Sequence, residues 1–197
     1  MHTDPDNLDA LAEPEIRTLS SSVVYTDNWI RLRRDDIERS DGSRGTYAVV
    51  ERRDFALVIP AENGGFHLVE EYRYPVGRRS WSFPQGGFPH GETGTAEELA
   101  RMELAQETGL RARQLTHLGS LTAGHGLTSQ YGDYFVATGL EPGPPDPEPE
   151  ELGIRQAWVT RKEFETMVRD TRITDDSTLA GYALLLIAER RGDVVIP

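Results

Sequence analysis

Glu103 and Glu107 stand four residues apart in GGFPHGETGTAEELARMELAQETGL, residues 86–110, behind a glycine-rich loop and ahead of Gly109. Side chains four apart stack on one face of a helix. Two carboxylates held that way repel unless a cation lies between them. Hard divalent ions such as magnesium take oxygen ligands and pair one or two carboxylates with substrate phosphates. The segment therefore reads first as a magnesium site for a phosphate-containing substrate, against the plainer alternative of a solvated acidic helix face. Glu92 either supports that site or favours the helix dipole as a first-turn acid. His125, in TAGHGLTSQ, titrates near neutrality and is a candidate base, or simply an exposed loop residue.

The elements that must position these groups follow from local pattern. Helical periodicity runs from Ala96 to Thr108, with Leu99, Met102 and Leu104 apolar and Gly109 as the stop. Upstream, SSVVYT, WIRLRRDDIE and GTYAVVE read as strands, the last two joined at Asp41-Gly42. FALVIPA and FHLVEEYRY follow, so an antiparallel meander is expected to feed into SWSFPQGG. Downstream, LTHLGSLTAGHGLTSQ and YGDYFVATGL read as strands around a glycine-rich loop. Residues 141–151, EPGPPDPEPEE, are acidic and proline-rich and read as an exposed loop. A strand IRQAWV, a helix RKEFETMVRD and a final helix TLAGYALLLIAERR, capped from Ile173–Ser177, complete the chain. Strands and helices mix without a βαβ rhythm, which predicts a mixed sheet covered by helices.

The chain of 197 residues is ample for one domain with a small N-terminal addition. Its 37% hydrophobic and 27% charged residues indicate a globular protein. A net charge of −12 argues against nucleic acid as a partner, since that binding relies on cations neutralising phosphates. A bound metal can still invert the local field for a small anionic substrate. Cysteine is absent, which excludes disulfides and thiolate sites. No apolar run approaches the roughly 20 residues of a membrane span, and MHTDPDNLDALAEPE is acidic where a leader is basic. A cytoplasmic location without membrane contact is expected.

Residues 86–110 also resemble the Nudix box, a glycine, five residues, a glutamate, seven residues, then R-E-U-x-E-E-x-G-U with U apolar. Gly86 and Glu92 match its opening, and Glu103, Leu104, Glu107, Gly109 and Leu110 match its close. Three departures stand out. The interval after Glu92 is two residues longer, Met102 replaces the arginine, and Gln106 replaces the first glutamate of the pair. Arg101 is adjacent, but one residue rotates a helical side chain by roughly 100°, so it is a poor substitute. Beyond the box, EYRYPVGRRSWSFPQGG, TAGHGLTSQYGDYFVA and RITDDSTLAGYALLL resemble the ADP-ribose pyrophosphatase branch of the Nudix hydrolases, over roughly Ser20 to Ala188.

That resemblance implies an α/β (α+β) fold, a Nudix-like mixed β-sheet α/β/α sandwich with an N-terminal antiparallel β-meander. The polar, acidic start reads as a flexible tail over residues 1–17, and the resemblance implies a meander over 18–53 acting as a dimerisation element and a hydrolase domain over 54–192 in a homodimer. Carried to matching positions, the metal ligands are the Gln85 carbonyl, Glu103 and Glu107, with Gln106 offering only an uncharged amide oxygen. The cofactor is then Mg2+ or Mn2+. The general base comes from the acidic loop, where Glu150 and Glu151 align better than Glu148. Arg73 matches a substrate-contacting arginine, though it could equally pair with an acid. Trp29 lies where relatives place an aromatic against adenine, though a core or interface role is the plainer one. Ser82 replaces a glutamate of the family.

The implied activity is metal-dependent cleavage of the pyrophosphate of a nucleoside diphosphate derivative, ADP-ribose giving AMP and ribose 5-phosphate. Met102 and Gln106 remove polar groups from the centre of the site, which motivates a rival: a nucleotide-derivative sensor with little turnover. A hydrolase for a nucleotide sugar or a dinucleoside polyphosphate is the third reading. The Arg31, Arg33 and Arg34 cluster reads as a charge-paired surface.

Overall fold

The computed structural model describes residues 15–144 and 153–197. Most of the acidic tail expected at 1–17 and the acidic-loop residues Glu148, Glu150 and Glu151 lie outside the described residues. The chain contacts divide into two compact units, Met1–Arg52 with Gly124–Ser129, and Arg53–Ala123 with Gln130–Pro197.

The first unit carries a three-stranded antiparallel sheet in the order β1-β2-β3, made of β1 (Ile16–Thr26), β2 (Arg31–Arg39) and β3 (Arg44–Glu51). The β2–β3 turn falls at Asp41-Gly42, where Gly42 takes a φ of 79° that a β-carbon would disfavour. The Asp41 carboxylate accepts from Ser43 N at 2.9 Å. Arg31 and Arg33 pair with Glu51, and Arg34 with Asp36, so the arginine cluster is an ion-paired surface as expected. Asp27 Oδ1 accepts from the backbone N–H groups of Trp29 and Ile30, both at 2.8 Å, and shapes the β1–β2 turn. The glycine-rich loop that holds His125 joins this unit through a bridge between Val50 and Thr128.

In the second unit β4 (Phe55–Glu62), β5 (Gly65–Arg73), β6 (Arg78–Ser82), β7 (Gln85–Gly86), β8 (Leu110–Thr122), β9 (Tyr131–Pro142) and β10 (Arg155–Thr160) form one mixed sheet. Its main path is β10-β5-β4-β9-β8, with β6 beside β5 and β7 beside β4. The β4–β9 pair is parallel and its neighbours antiparallel. Helices α1 (Ala96–Thr108), α2 (Arg161–Arg169) and α3 (Asp176–Arg191) cover it. Alternation along β4 sorts the two faces. Ala56 and Val58 meet Leu99, Ala100 and Leu104 of α1, whereas Leu57, Ile59 and Ala61 meet Phe164 and Met167 of α2 and Leu185 of α3. The result is an α/β/α sandwich, as expected.

One expectation needs correction. The five strands between residues 16 and 73 are not a single meander, because β1–β3 form their own sheet while β4 and β5 belong to the larger one. β4 is apolar on both faces and buried from Ala56 to Ala61, which is the pattern of a central strand. It takes β9, far along the chain, as its parallel neighbour.

Candidate active site

Helix α1 starts from a capping box at Thr95. The Thr95 hydroxyl accepts from Glu98 N at 3.2 Å, and the Glu98 carboxylate accepts from Thr95 N at 2.8 Å. Glu103 and Glu107 lie within the uninterrupted helix that starts at this cap, after the irregular stretch that follows Glu92. Glu92 lies outside the first turn, where Glu97 and Glu98 are the acids at the positive end of the dipole. With Phe55, Phe88, Thr93, Leu99 and Asp133, Glu92 lines a cavity of about 480 Å³. Gly109 ends the helix at a φ of 68°, its N–H returning to Ala105 O.

Glu103 and Glu107 are only 5% and 6% exposed. Both converge on the short strand β7. A β-carbon on Gly86 would stand 2.6 Å from each Glu103 carboxylate oxygen. The Gln85 backbone N–H donates to Glu107 Oε2 at 3.2 Å. Gly86 therefore leaves the space that the Glu103 carboxylate occupies, and a larger residue there would make that side chain shift. The Glu107 carbonyl, one of the last of the helix, accepts from Gln156 Nε2 on β10 at 2.7 Å. Two acids on one helix face are thereby brought against one dipeptide and withdrawn from solvent. Two buried carboxyl side chains on one helix face are an oxygen donor set of the kind that hard divalent cations take. Among the described residues no group of three or more His, Cys, Asp or Glu could hold a metal.

The remaining expected residues fall as follows. Met102 packs against the apolar cluster of Ala56, Val58 and Leu104. Arg101 turns outward to Glu97 at 2.8 Å and to Ala112 O at 2.9 Å, so it does not replace the box arginine. Arg73 is ion-paired with Glu71. Ser82 is buried in β6, opposite Val69. Trp29 is 67% exposed in the first unit, which removes it from any core, and His125 is exposed in the same unit. Sequence reasoning missed Gln156 and Asp175, whose side chains reach this site from β10 and from the start of α3.

Comparisons with known proteins identify the family. The family model of the NUDIX domain matches residues 50–180, and that of the nucleoside diphosphate sugar hydrolase N-terminal domain matches residues 16–50. An ADP-ribose pyrophosphatase of Mycobacterium tuberculosis (strain ATCC 25618 / H37Rv) is 32% identical over 178 residues, 87% of this chain and 83% of that protein. A methanol dehydrogenase activator of Bacillus methanolicus is 25% identical over 179 residues, 89% of this chain and 95% of that protein. A crystal structure of an ADP compounds hydrolase superposes with a TM-score of 0.77 at 22% identity, covering 91% of this chain and 97% of its own, a likeness of fold. The chain belongs to the Nudix family. It is a Nudix hydrolase. Among the described residues no helix is long and apolar enough to cross a membrane.

Proposed function

We propose that this hydrolase cleaves the pyrophosphate of a nucleoside diphosphate linked to another moiety, with ADP-ribose as substrate and AMP and ribose 5-phosphate as products. The observation that carries the reading is the convergence of buried Glu103 and Glu107 on Gln85–Gly86. The pyrophosphatase of Mycobacterium tuberculosis, similar over most of both chains, supports the substrate class. The cytoplasmic location expected from the sequence belongs to the same proposal.

Nudix hydrolases generally use divalent metal ions. Here Glu103, Glu107, the Gln85 carbonyl and the Gln106 amide oxygen would hold Mg2+ or Mn2+. When bound, the ion supplies charge neutralisation on the pyrophosphate oxygens, worth several kcal/mol on the usual scale. The chain does the rest. Gly86 leaves room for the Glu103 carboxylate, and the Gln85 N–H holds Glu107 in place. Water attacks one phosphorus, the bridging P–O bond breaks, and the water proton passes to Glu150 or Glu151, roles assigned by sequence position alone. Arg73, released from Glu71, contacts the substrate phosphates or ribose. Trp29 offers its exposed ring to the base in a homodimer joined through the N-terminal sheet of residues 18–53.

A nucleotide sugar is the second reading, favoured by the match of residues 16–50 to a nucleoside diphosphate sugar hydrolase N-terminal domain. The test is a panel of ADP-ribose, nucleotide sugars and dinucleoside polyphosphates, each incubated with the full chain and Mg2+ or Mn2+, the products separated by chromatography. AMP and ribose 5-phosphate formed fastest from ADP-ribose support the first reading. Faster cleavage of a nucleotide sugar supports the second. Tight binding of ADP-ribose with no product from any compound overturns both in favour of a sensor.

A further inference from the structure

The dipeptide that meets Glu103 and Glu107 is held from both faces of the sheet. From the α1 side, Glu107 Oε2 accepts the Gln85 backbone N–H. From the other side, the first turn of α3 takes hold of the same segment twice. Asp175 caps α3 by accepting Thr178 N at 2.8 Å, and the same carboxylate oxygen accepts the Gln85 side-chain amide at 3.0 Å. Two residues earlier, Phe83 N donates to the hydroxyl of the fully buried Thr178 at 3.0 Å. Residues 83 and 85 repeat at the period of a strand, and 175 and 178 repeat at the period of a helix turn. Strand segment and helix start are therefore matched at two points. Helix α3 itself lies close to the sheet, since a β-carbon on Gly181 would stand 3.0 Å from Leu57.

We infer that Asp175 is a positioning residue for the divalent-ion site, acting through the Gln85 side-chain amide to fix the peptide that presents the Gln85 carbonyl and tethers Glu107. The inference rests on the metal reading above. A glutamine side chain is free to sample many rotamers, and a backbone segment of two residues has little sheet of its own to hold it. An ionised acceptor makes the stronger kind of hydrogen bond. Groups that orient metal ligands from behind typically alter affinity by ~10–100-fold when removed.

The experiment uses the full chain without substrate. Mn2+ binding is followed by electron paramagnetic resonance for wild type, Gln85→Ala, Asp175→Ser, the double variant and Asp175→Asn. Serine keeps the helix cap but is too short to reach the amide, and asparagine keeps both functions. The expected result is Mn2+ affinity ~10-fold weaker in Gln85→Ala and in Asp175→Ser. The double variant should be no weaker than either, because one interaction has been cut from two ends. Asp175→Asn should stay near wild type. Amide exchange at Gln85, read by NMR, should accelerate in Asp175→Ser while the α1 amides keep their protection. Unchanged Mn2+ affinity in Gln85→Ala, or unchanged Gln85 exchange in Asp175→Ser, overturns the inference. A wild-type chain that binds no Mn2+ overturns the metal reading itself and this inference with it.

Discussion

The Glu103 carboxylate occupies the space a side chain on Gly86 would need, with both oxygens 2.6 Å from the position of that β-carbon. The first glycine of the box thus leaves room for its first helical glutamate. Gly86→Ala must push the carboxylate off the dipeptide or shift β7 away from β4. Such overpacking costs about 1–3 kcal/mol of stability. The larger effect is on turnover, which should fall ~100-fold or more, since displacements of about 1 Å at a reacting centre cost that much. Thermal unfolding and initial rates on ADP-ribose, measured on one preparation, check the two effects together.

Gln106 places an uncharged amide where the family pattern has a carboxylate. Gln106→Glu adds a third negative charge beside the pair and should tighten Mn2+ binding ~10-fold, the step of about 1.4 kcal/mol expected for one more partly buried charge interaction. It should also destabilise the metal-free chain, because like charges are then crowded without a cation. Opposite shifts of melting temperature with and without Mn2+ are the expected signature.

Two helices start from capping boxes that titrate. Glu98 is held below its ordinary value of 4.5 first by the backbone N–H of Thr95 and then by its hydroxyl. Glu163 is held below 4.5 first by the Thr160 hydroxyl and then by its backbone N–H. A folded-state value below the unfolded one gives stability that is complete above 4.5 and disappears as pH falls through the folded value. Glutamine at the same position makes an uncharged box. Glu98→Gln with Glu163→Gln should therefore flatten the fall in melting temperature below pH 4.5 by lowering the curve near neutrality, with variant and wild type converging in acid.

Strand β1 is exposed along its whole length, and Ile16, Leu19, Val23, Val24 and Tyr25 are large apolar residues on it. Large apolar residues this exposed are candidates for an interaction face. The homodimer proposed above, closed through the N-terminal sheet, would cover these residues. Val24→Glu should raise the dimer dissociation constant ~100-fold, as truncation at the centre of an interface does. Light scattering across a dilution series reads this directly, and a wild-type chain that stays monomeric at high concentration contradicts the dimer.

Helix α1 was legible to the residue because its determinants are local: Leu99 and Leu104 give the period, and Gly109 stops it. The Thr95–Glu98 box spans only four residues but was found in the structure, not read from the sequence. What local pattern could not carry was pairing across the chain. β8 starts at Leu110, directly after the helix stop, because its register with β9 runs from Leu110 opposite Pro142. The strand Arg78–Ser82 is short and largely polar, and its edge beside β5 is what makes it a strand. At the site, the box residues were readable because motif spacing encodes them. Gln156 and Asp175 were not, since they reach Glu107 and Gln85 across 49 and 90 residues of sequence.

Glu103 and Glu107 are proposed to form one divalent-ion site that cleaves a nucleotide pyrophosphate. The most direct measurement is the rate of AMP release from ADP-ribose by wild type, Glu103→Gln and Glu107→Gln under saturating Mg2+, with folding checked by circular dichroism. The account predicts that both variants fold like wild type and lose ~100-fold or more in turnover, about 2.7 kcal/mol or more of transition-state stabilisation. Full activity in both variants would contradict it.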